Sequence, residues 1–193
     1  MIYDATIIGG GPSGSTAAEA LAKKGFRVAL IDRAGRIKPC GGAVPPRLID
    51  DFQIPDSQLV AKIKTARMIS PTSRKVDIPI ENGFVGMVDR EFFDEFLRSR
   101  AQDYGAHRFT GTFKALSKNS EFTKVTFENH SSKKITNVLT RYVIGADGAK
   151  SNVARIAIKD DLLYVGFGER DKGMIAQDPQ KHPGSIIRIK TDG

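Results

Sequence analysis

Gly9, Gly11 and Gly14 have the spacing G-x-G-x-x-G, and Asp32 follows Gly14 by 18 residues. Those residue types in that order suit a dinucleotide. A glycine at position 9 permits a tight turn, one at 11 lets a pyrophosphate approach the backbone, and one at 14 lets helix and strand pack closely. Free N–H groups and the positive end of the helix dipole then hold phosphate charge. The Asp32 carboxylate is placed to accept hydrogen bonds from an adenosine ribose, with Arg33 beside it. A second acidic turn, Gly145-Ala146-Asp147-Gly148, follows Arg141-Tyr142-Val143-Ile144, which reads as a strand. Cys40 is the single cysteine and lies in the loop Lys38-Pro39-Cys40-Gly41-Gly42-Ala43. It reads either as a small buried residue or as a catalytic group at a reacting face, which requires a lowered pKa. Arg90 stands at a helix start, where a positive side chain opposes the dipole and an anionic partner would account for it.

The elements that must position these residues follow from local pattern. Ala5–Ile8 is a short apolar run fit for a strand buried on both faces. Ser15–Lys24 is built from strong helix formers, with Gly25 as its stop. Phe26–Ile31 reads as a second strand, so strand, glycine turn, helix and strand make one βαβ unit with parallel strands. Pro45-Pro46 opens a short helix through Phe52. Val60–Ile80 reads as two strands around Ser70-Pro71-Thr72-Ser73, and Phe84–Val88 as another. Asp89 caps a helix whose stripe is Phe93, Leu97, Ala101 and Tyr104, widened by Phe92 and Phe96 and ended by Gly105. Ala106–Val138 reads as short strands in a β-meander. The expected fold is α/β, a Rossmann-like parallel sheet with an added meander.

Composition narrows the function. The chain has 193 residues, 40% hydrophobic and 27% charged, which excludes disorder throughout. One cysteine excludes a disulfide framework or a cysteine zinc site, and His107, His130 and His182 lie too far apart to form a metal motif. The net charge of +8 reads as a solvated basic surface or as attraction to a diphosphate, a nucleotide or an acidic membrane face. Nucleic acid is disfavoured, because the basic residues are scattered. No apolar run approaches the roughly 18 residues of a bilayer span, and the N-terminus lacks a signal-peptide pattern. The expectation is a cytoplasmic protein, soluble or peripheral.

The stretch Asp32–Ile49, with its Lys-Pro-Cys-Gly-Gly-Ala core, together with Ala66–Pro71 and Val85-Gly86-Met87-Val88-Asp89-Arg90-Glu91-Phe92-Phe93-Asp94, resembles the geranylgeranyl reductases of chlorophyll and bacteriochlorophyll synthesis. The Ala-Asp-Gly turn at 146–148, followed by Ser151, Val153 and Arg155, resembles that of flavoproteins related to para-hydroxybenzoate hydroxylase. The likeness covers about residues 1 to 156 and implies a FAD-binding domain over 1–157. Residues 60–88 would extend toward the substrate side, and 158–193 would be a truncated start of the substrate domain or a diverged tail. It also implies FAD and NADPH as cofactors, with hydride passing to the alkenes of a geranylgeranyl chain to give phytyl. The isoprenoid substrate would be geranylgeranyl diphosphate or geranylgeranyl-bacteriochlorophyll, and the location peripheral at a photosynthetic membrane. Gly9, Gly11 and Gly14 would hold the FAD pyrophosphate and Asp32 the ribose. Cys40, Gly41 and Ala43 would lie on the flavin side, Arg90 would reach FAD, and Asp147 would lie near the pyrophosphate. The chain departs from the family in having no tryptophan and no second Gly-Asp turn. It therefore reads as an amino-terminal part that holds FAD weakly, with residues 159–193 packing loosely. An archaeal-type lipid reductase, a flavin hydroxylase and a non-catalytic FAD-binding fragment are the alternatives.

Overall fold

In a computed structural model of the chain, residues 1–35, 40–81, 83–118, 121–148, 153, 156–159, 162–166 and 186–190 are described, the last three spans by backbone. The amino-terminal elements are β1 (Ile2–Ile8), α1 (Pro12–Lys23), β2 (Val28–Asp32), β3 (Ala43–Val44) and α2 (Pro46–Asp51). Next come β4 (Ala61–Ile63), β5 (Thr65–Ile69), β6 (Lys75–Pro79), β7 (Val85–Met87) and α3 (Arg90–Asp103). The remaining strands are β8 (His107–Lys118), β9 (Thr123–Asn129), β10 (Ile135–Gly145), β11 (Ile156–Lys159), β12 (Leu162–Gly166) and β13 (Ile186–Lys190). The chain divides into two compact units, one of residues 1–34 and 97–193, the other of residues 35–96.

The first unit is built around β1. It pairs in parallel with β2 on one side, Ala5 facing Val28, and with β10 on the other, Ala5 facing Tyr142. The predicted βαβ unit is therefore present, and β2 extends the parallel run to β8. The long strands β8 and β10 each serve twice. His107–Thr110 pair with β2, and from Gly111 onward β8 turns to pair with β9. Gly111 sits at that change because a Cβ would strike the Phe127 ring and the Glu128 carbonyl. In β10, Ile135–Thr140 pair with β9 and Leu139–Gly145 with β1, which closes the circuit of strands. The expected short strands between Ala106 and Val138 are instead two long strands and the start of a third. β8 and β10 are long because each bridges the parallel sheet and the meander.

The two faces of the parallel strands bury different cores. Ile8 and Ile31 pack with Tyr3, Ala29, Val125, Phe127 and Val138 toward the meander. Their neighbours Ile7 and Leu30 pack with Ala18, Ala22, Val28, Ala101 and Ala106 on the helical side. Side chains alternate along a strand, so a strand covered on both faces is apolar along nearly all its length, with buried Thr6 as the polar exception here. Full burial of Ile7 or Leu30 is worth about 1.5–3 kcal/mol each. Alanines on α1 let the helix approach the sheet closely. Helix α1 begins at Pro12, three residues before the predicted start, because proline suits the first turn. Strand β2 begins at Val28 and not at Phe26, which is exposed.

In the second unit β7 lies between β3 and β4, and β5–β6 form a hairpin. Its turn is the predicted one: Ser73 N–H donates to the Ser70 carbonyl at 2.9 Å and Arg74 N–H to Ser70 Oγ at 3.1 Å. Ala66 faces Ile78 and Met68 faces Val76, while Arg67 on the alternate face makes two bonds to Asp77 at 2.6 and 2.7 Å. In the helix stripe, Phe93, Leu97 and Ala101 are buried as expected but Phe92 and Tyr104 are exposed. Strands β11, β12 and β13 form an antiparallel sheet with β12 in the middle. The rest of 159–193, on which the expectation of loose packing falls, lies outside the described residues.

Candidate dinucleotide site

The glycine turn is gripped at its root by both neighbours of β1. Gly9 N–H donates to the Ile31 carbonyl at 2.8 Å, and Ala146 N–H donates to the Ile8 carbonyl at 2.7 Å. The second acidic turn therefore lies directly against the first. Gly9 has φ +107°, and a Cβ there would strike the Ala146 carbonyl and the Asp147 nitrogen. At Gly14 a Cβ would run into the Gly9 carbonyl oxygen. Two of the three fingerprint glycines are thus demanded by the chain's own packing. Gly11 differs: its φ of −74° and ψ of −177° are open to any residue, so its backbone does not demand glycine. That is what a position kept bare for a ligand requires.

Helix α1 starts with Gly11 as its N-cap, no side-chain cap, proline in the first turn and no acid there. Among the described residues no acceptor meets the N–H groups of Gly11, Ser13 or Gly14. Uncapped donors plus the dipole's positive end fit a diphosphate. Asp32 stands beside them with a side chain 20% exposed. Its Oδ2 accepts from Gly10 N–H at 2.8 Å, and its Oδ1 accepts from Ala34 N–H at 2.9 Å and from Arg98 at 3.3 Å. A carboxylate offers about four lone-pair sites, so Oδ2 retains one for a ribose hydroxyl. Arg33 is exposed, and Asp147 Oδ2 accepts from Val153 N–H at 3.3 Å.

A second group of predicted residues assembles within the other unit. Arg90 makes two bonds to Asp94, 2.8 and 2.9 Å long, with side chains 13% and 7% exposed. The anionic partner expected for Arg90 is therefore supplied by the chain itself, one turn along α3. Cys40 is exposed, which sets aside its reading as a buried residue. Hydrogen bonds from Gly42 N–H and then from Arg90 hold its thiol below the usual range, the condition reactivity requires. Gly42 has φ +71° and would drive a Cβ into the Val88 carbonyl, whereas nothing stands near a Cβ at Gly41. Ala43 opens β3 opposite Met87. Lys38, Pro39, Ser151 and Arg155 lie outside the described residues. No group of three or more His, Cys, Asp or Glu among the described residues could hold a metal ion.

Two participants were not anticipated. Gly10, outside the fingerprint spacing, is crowded by Asp32, whose Cβ and Cγ would lie 2.8 and 2.9 Å from a Cβ there. Arg98 is 7% exposed and donates to the Gly10 carbonyl at 3.0 Å as well as to Asp32. The signal was present: Arg90, Asp94 and Arg98 stand four apart along α3, beside its apolar stripe.

The NAD(P)-binding Rossmann-like domain family matches residues 7–54. A geranylgeranyl diphosphate reductase from Rhodobacter capsulatus is 62% identical over 153 residues, 79% of this chain and 39% of that protein. The chain belongs to the geranylgeranyl reductase family. A chloroplastic geranylgeranyl diphosphate reductase from Nicotiana tabacum is 36% identical over 198 residues, 95% of this chain and 42% of its own length. That alignment carries the resemblance well past residue 156. In crystal structure, a geranylgeranyl bacteriochlorophyll reductase-like protein from Thermoplasma acidophilum is similar at a TM-score of 0.69 and 26% identity, over 77% of this chain and 40% of that one. The chain spans about two fifths of the length of the curated relatives it matches. The Glucose / Sorbosone dehydrogenase family also matches, over residues 96–193. Strands β8–β10 of that stretch close the sheet begun by β1 and β2, and the tobacco alignment must run through it too, so the residue identities decide the family. No helix of the described residues is long and apolar enough to cross a membrane.

Proposed function

We propose that this chain is the dinucleotide-binding part of a FAD-dependent, NADPH-using reductase of a geranylgeranyl chain, acting in (bacterio)chlorophyll synthesis. The observation that carries the reading is the uncapped start of α1, held beside Asp32 by a glycine turn that the Ala146-Asp147 turn backs directly. The residue identities with geranylgeranyl diphosphate reductases support the substrate class.

The assigned roles follow from chemistry. The N–H groups of Gly11, Ser13 and Gly14 hold the diphosphate, and Asp32 accepts from the adenosine ribose next to Arg33. Asp147 limits the site behind the turn. Cys40, Gly41, Ala43 and Arg90 serve the flavin side, with Asp94 keeping the Arg90 guanidinium oriented. When bound and reduced by NADPH, FAD would supply hydride to an isolated alkene, a poor acceptor that needs closely timed protonation. The Cys40 thiol, held acidic by Gly42 N–H and Arg90, is the group this chain offers for holding a proton there. Residues 1–157 form the cofactor domain, residues 60–88 reach toward the substrate side, and 158–193 begin the substrate part. Geranylgeranyl diphosphate and its bacteriochlorophyll ester are the candidate substrates. A long apolar substrate and a charge of +8 suit peripheral contact with an anionic membrane.

Flavin titration tests the reading. Gly11→Val should leave the fold intact and abolish FAD binding, because the side chain occupies the place of the pyrophosphate. Unchanged FAD affinity in the folded variant refutes the assignment of this turn.

A further inference from the structure

We propose that Arg98 is a positioning residue of the dinucleotide site, setting the direction of the Gly11 N–H and the seating of Asp32. The inference rests on the diphosphate reading above. Arg98 lies on α3, 88 residues from the turn in sequence, and donates to the Gly10 carbonyl at 3.0 Å. Ser15 Oγ donates to the same carbonyl at 3.0 Å. A trans peptide sends its C=O and N–H in opposite directions, and no peptide of the described chain is cis. Two donors drawing the Gly10 oxygen to one side therefore aim the Gly11 N–H to the other, at the start of α1 where the diphosphate is assigned.

The same guanidinium reaches Asp32 Oδ1 at 3.3 Å, while Gly10 N–H holds Oδ2 at 2.8 Å. Gly10 is thus held at both of its polar groups, its N–H by Asp32 and its carbonyl by Arg98 and Ser15. Its lack of a Cβ makes this possible, since one would lie 2.8 Å from Asp32 Cβ and 3.0 Å from Arg98 Cδ. Arg98 couples the phosphate donor to the ribose acceptor through one planar group with several donors, a task the single ammonium of lysine performs only in part. An ordinary structural ion pair would stabilise the fold without affecting the direction of the Gly11 N–H.

The 193-residue chain and its variants Arg98→Met and Arg98→Lys are titrated with ADP, which carries the ribose and the diphosphate without the flavin. Calorimetry gives the dissociation constant and the shift of the Gly11 amide is followed by NMR. Arg98→Met should weaken ADP binding about 10- to 100-fold and suppress the Gly11 shift, while Arg98→Lys recovers part of both. If Arg98→Met does not fold, Arg98→Lys decides, with an expected loss of about 3- to 10-fold. A folded variant that binds ADP like the parent, with the same Gly11 shift, overturns the role of Arg98 and leaves the dinucleotide reading standing. A parent chain that binds neither ADP nor FAD overturns that reading and this proposal with it.

Discussion

Asp32→Ala removes the acceptor of three donors at once: Gly10 N–H at 2.8 Å, Ala34 N–H at 2.9 Å and Arg98 at 3.3 Å. Ala34 can turn its N–H to water. Gly10 and Arg98 are both buried and cannot. Removing one partner of a buried pair costs about 3–5 kcal/mol because the other charge is stranded. Arg98 keeps its bond to the Gly10 carbonyl, and the Asp32 side chain is 20% exposed, so about 2–4 kcal/mol is the expected loss of folding stability without any ligand. For a chain of this length that corresponds to a fall of roughly 4–16 °C in Tm. Thermal unfolding of the ligand-free chain by circular dichroism measures it. Flavin titration of the folded variant at low temperature then isolates the ribose contribution, expected to be about 1.5–3 kcal/mol for FAD. FMN, which has no adenosine, should bind the variant and the parent alike. An unchanged Tm refutes the idea that Asp32 anchors Arg98, and equal losses for FAD and FMN refute its role toward the ribose.

Gly14→Ala should destabilise the chain by about 3 kcal/mol in urea unfolding, because its Cβ meets the Gly9 backbone, which cannot move aside. Gly41→Ala, with nothing near its Cβ, should stay within about 0.5 kcal/mol. The pH midpoint of Cys40 alkylation should lie below the usual thiol value of about 8.5, and Arg90→Gln should move it upward. Arg27 holds the Asp4 carboxyl low, Arg67 that of Asp77, and Lys114 that of Glu128. Their folded pKa values lie below the unfolded ones, so their stabilisation is present above about pH 4 and is lost as pH falls through the folded values. Acid titration by circular dichroism with and without 1 M salt should show salt reducing this small exposed contribution.

Much of the site could be read in the chain because its causes are local. A strand, a glycine turn, a helix and an acid at the next strand's end lie within 32 residues, and the βαβ unit forms as expected. The hairpin turn at Ser70–Ser73 and the cap at Asp89 are equally local, the latter with its carboxylate accepting from Glu91 N–H at 2.9 Å. The lengths of β8 and β10 were not legible, because each strand changes partners midway and periodicity records burial without recording the partner. The partner of Arg90 lay one turn away at Asp94, and was missed because charged residues on a helix read as solvated.

Residue order by itself determined the glycine turn and the helix start without a side-chain cap, since both are properties of a few consecutive residues. It also determined that the first strands are buried on both faces, because Ile7-Ile8 and Val28–Ile31 are continuous apolar runs. Only the tertiary structure decided that Gly9 and Gly14 are packed against the 146–147 turn, and that Arg98 on α3 grips Gly10 and Asp32. The physical reason is that steric exclusion and hydrogen-bond geometry act over distances of about 3 Å, and 88 residues of chain separate Arg98 from the carbonyl it holds.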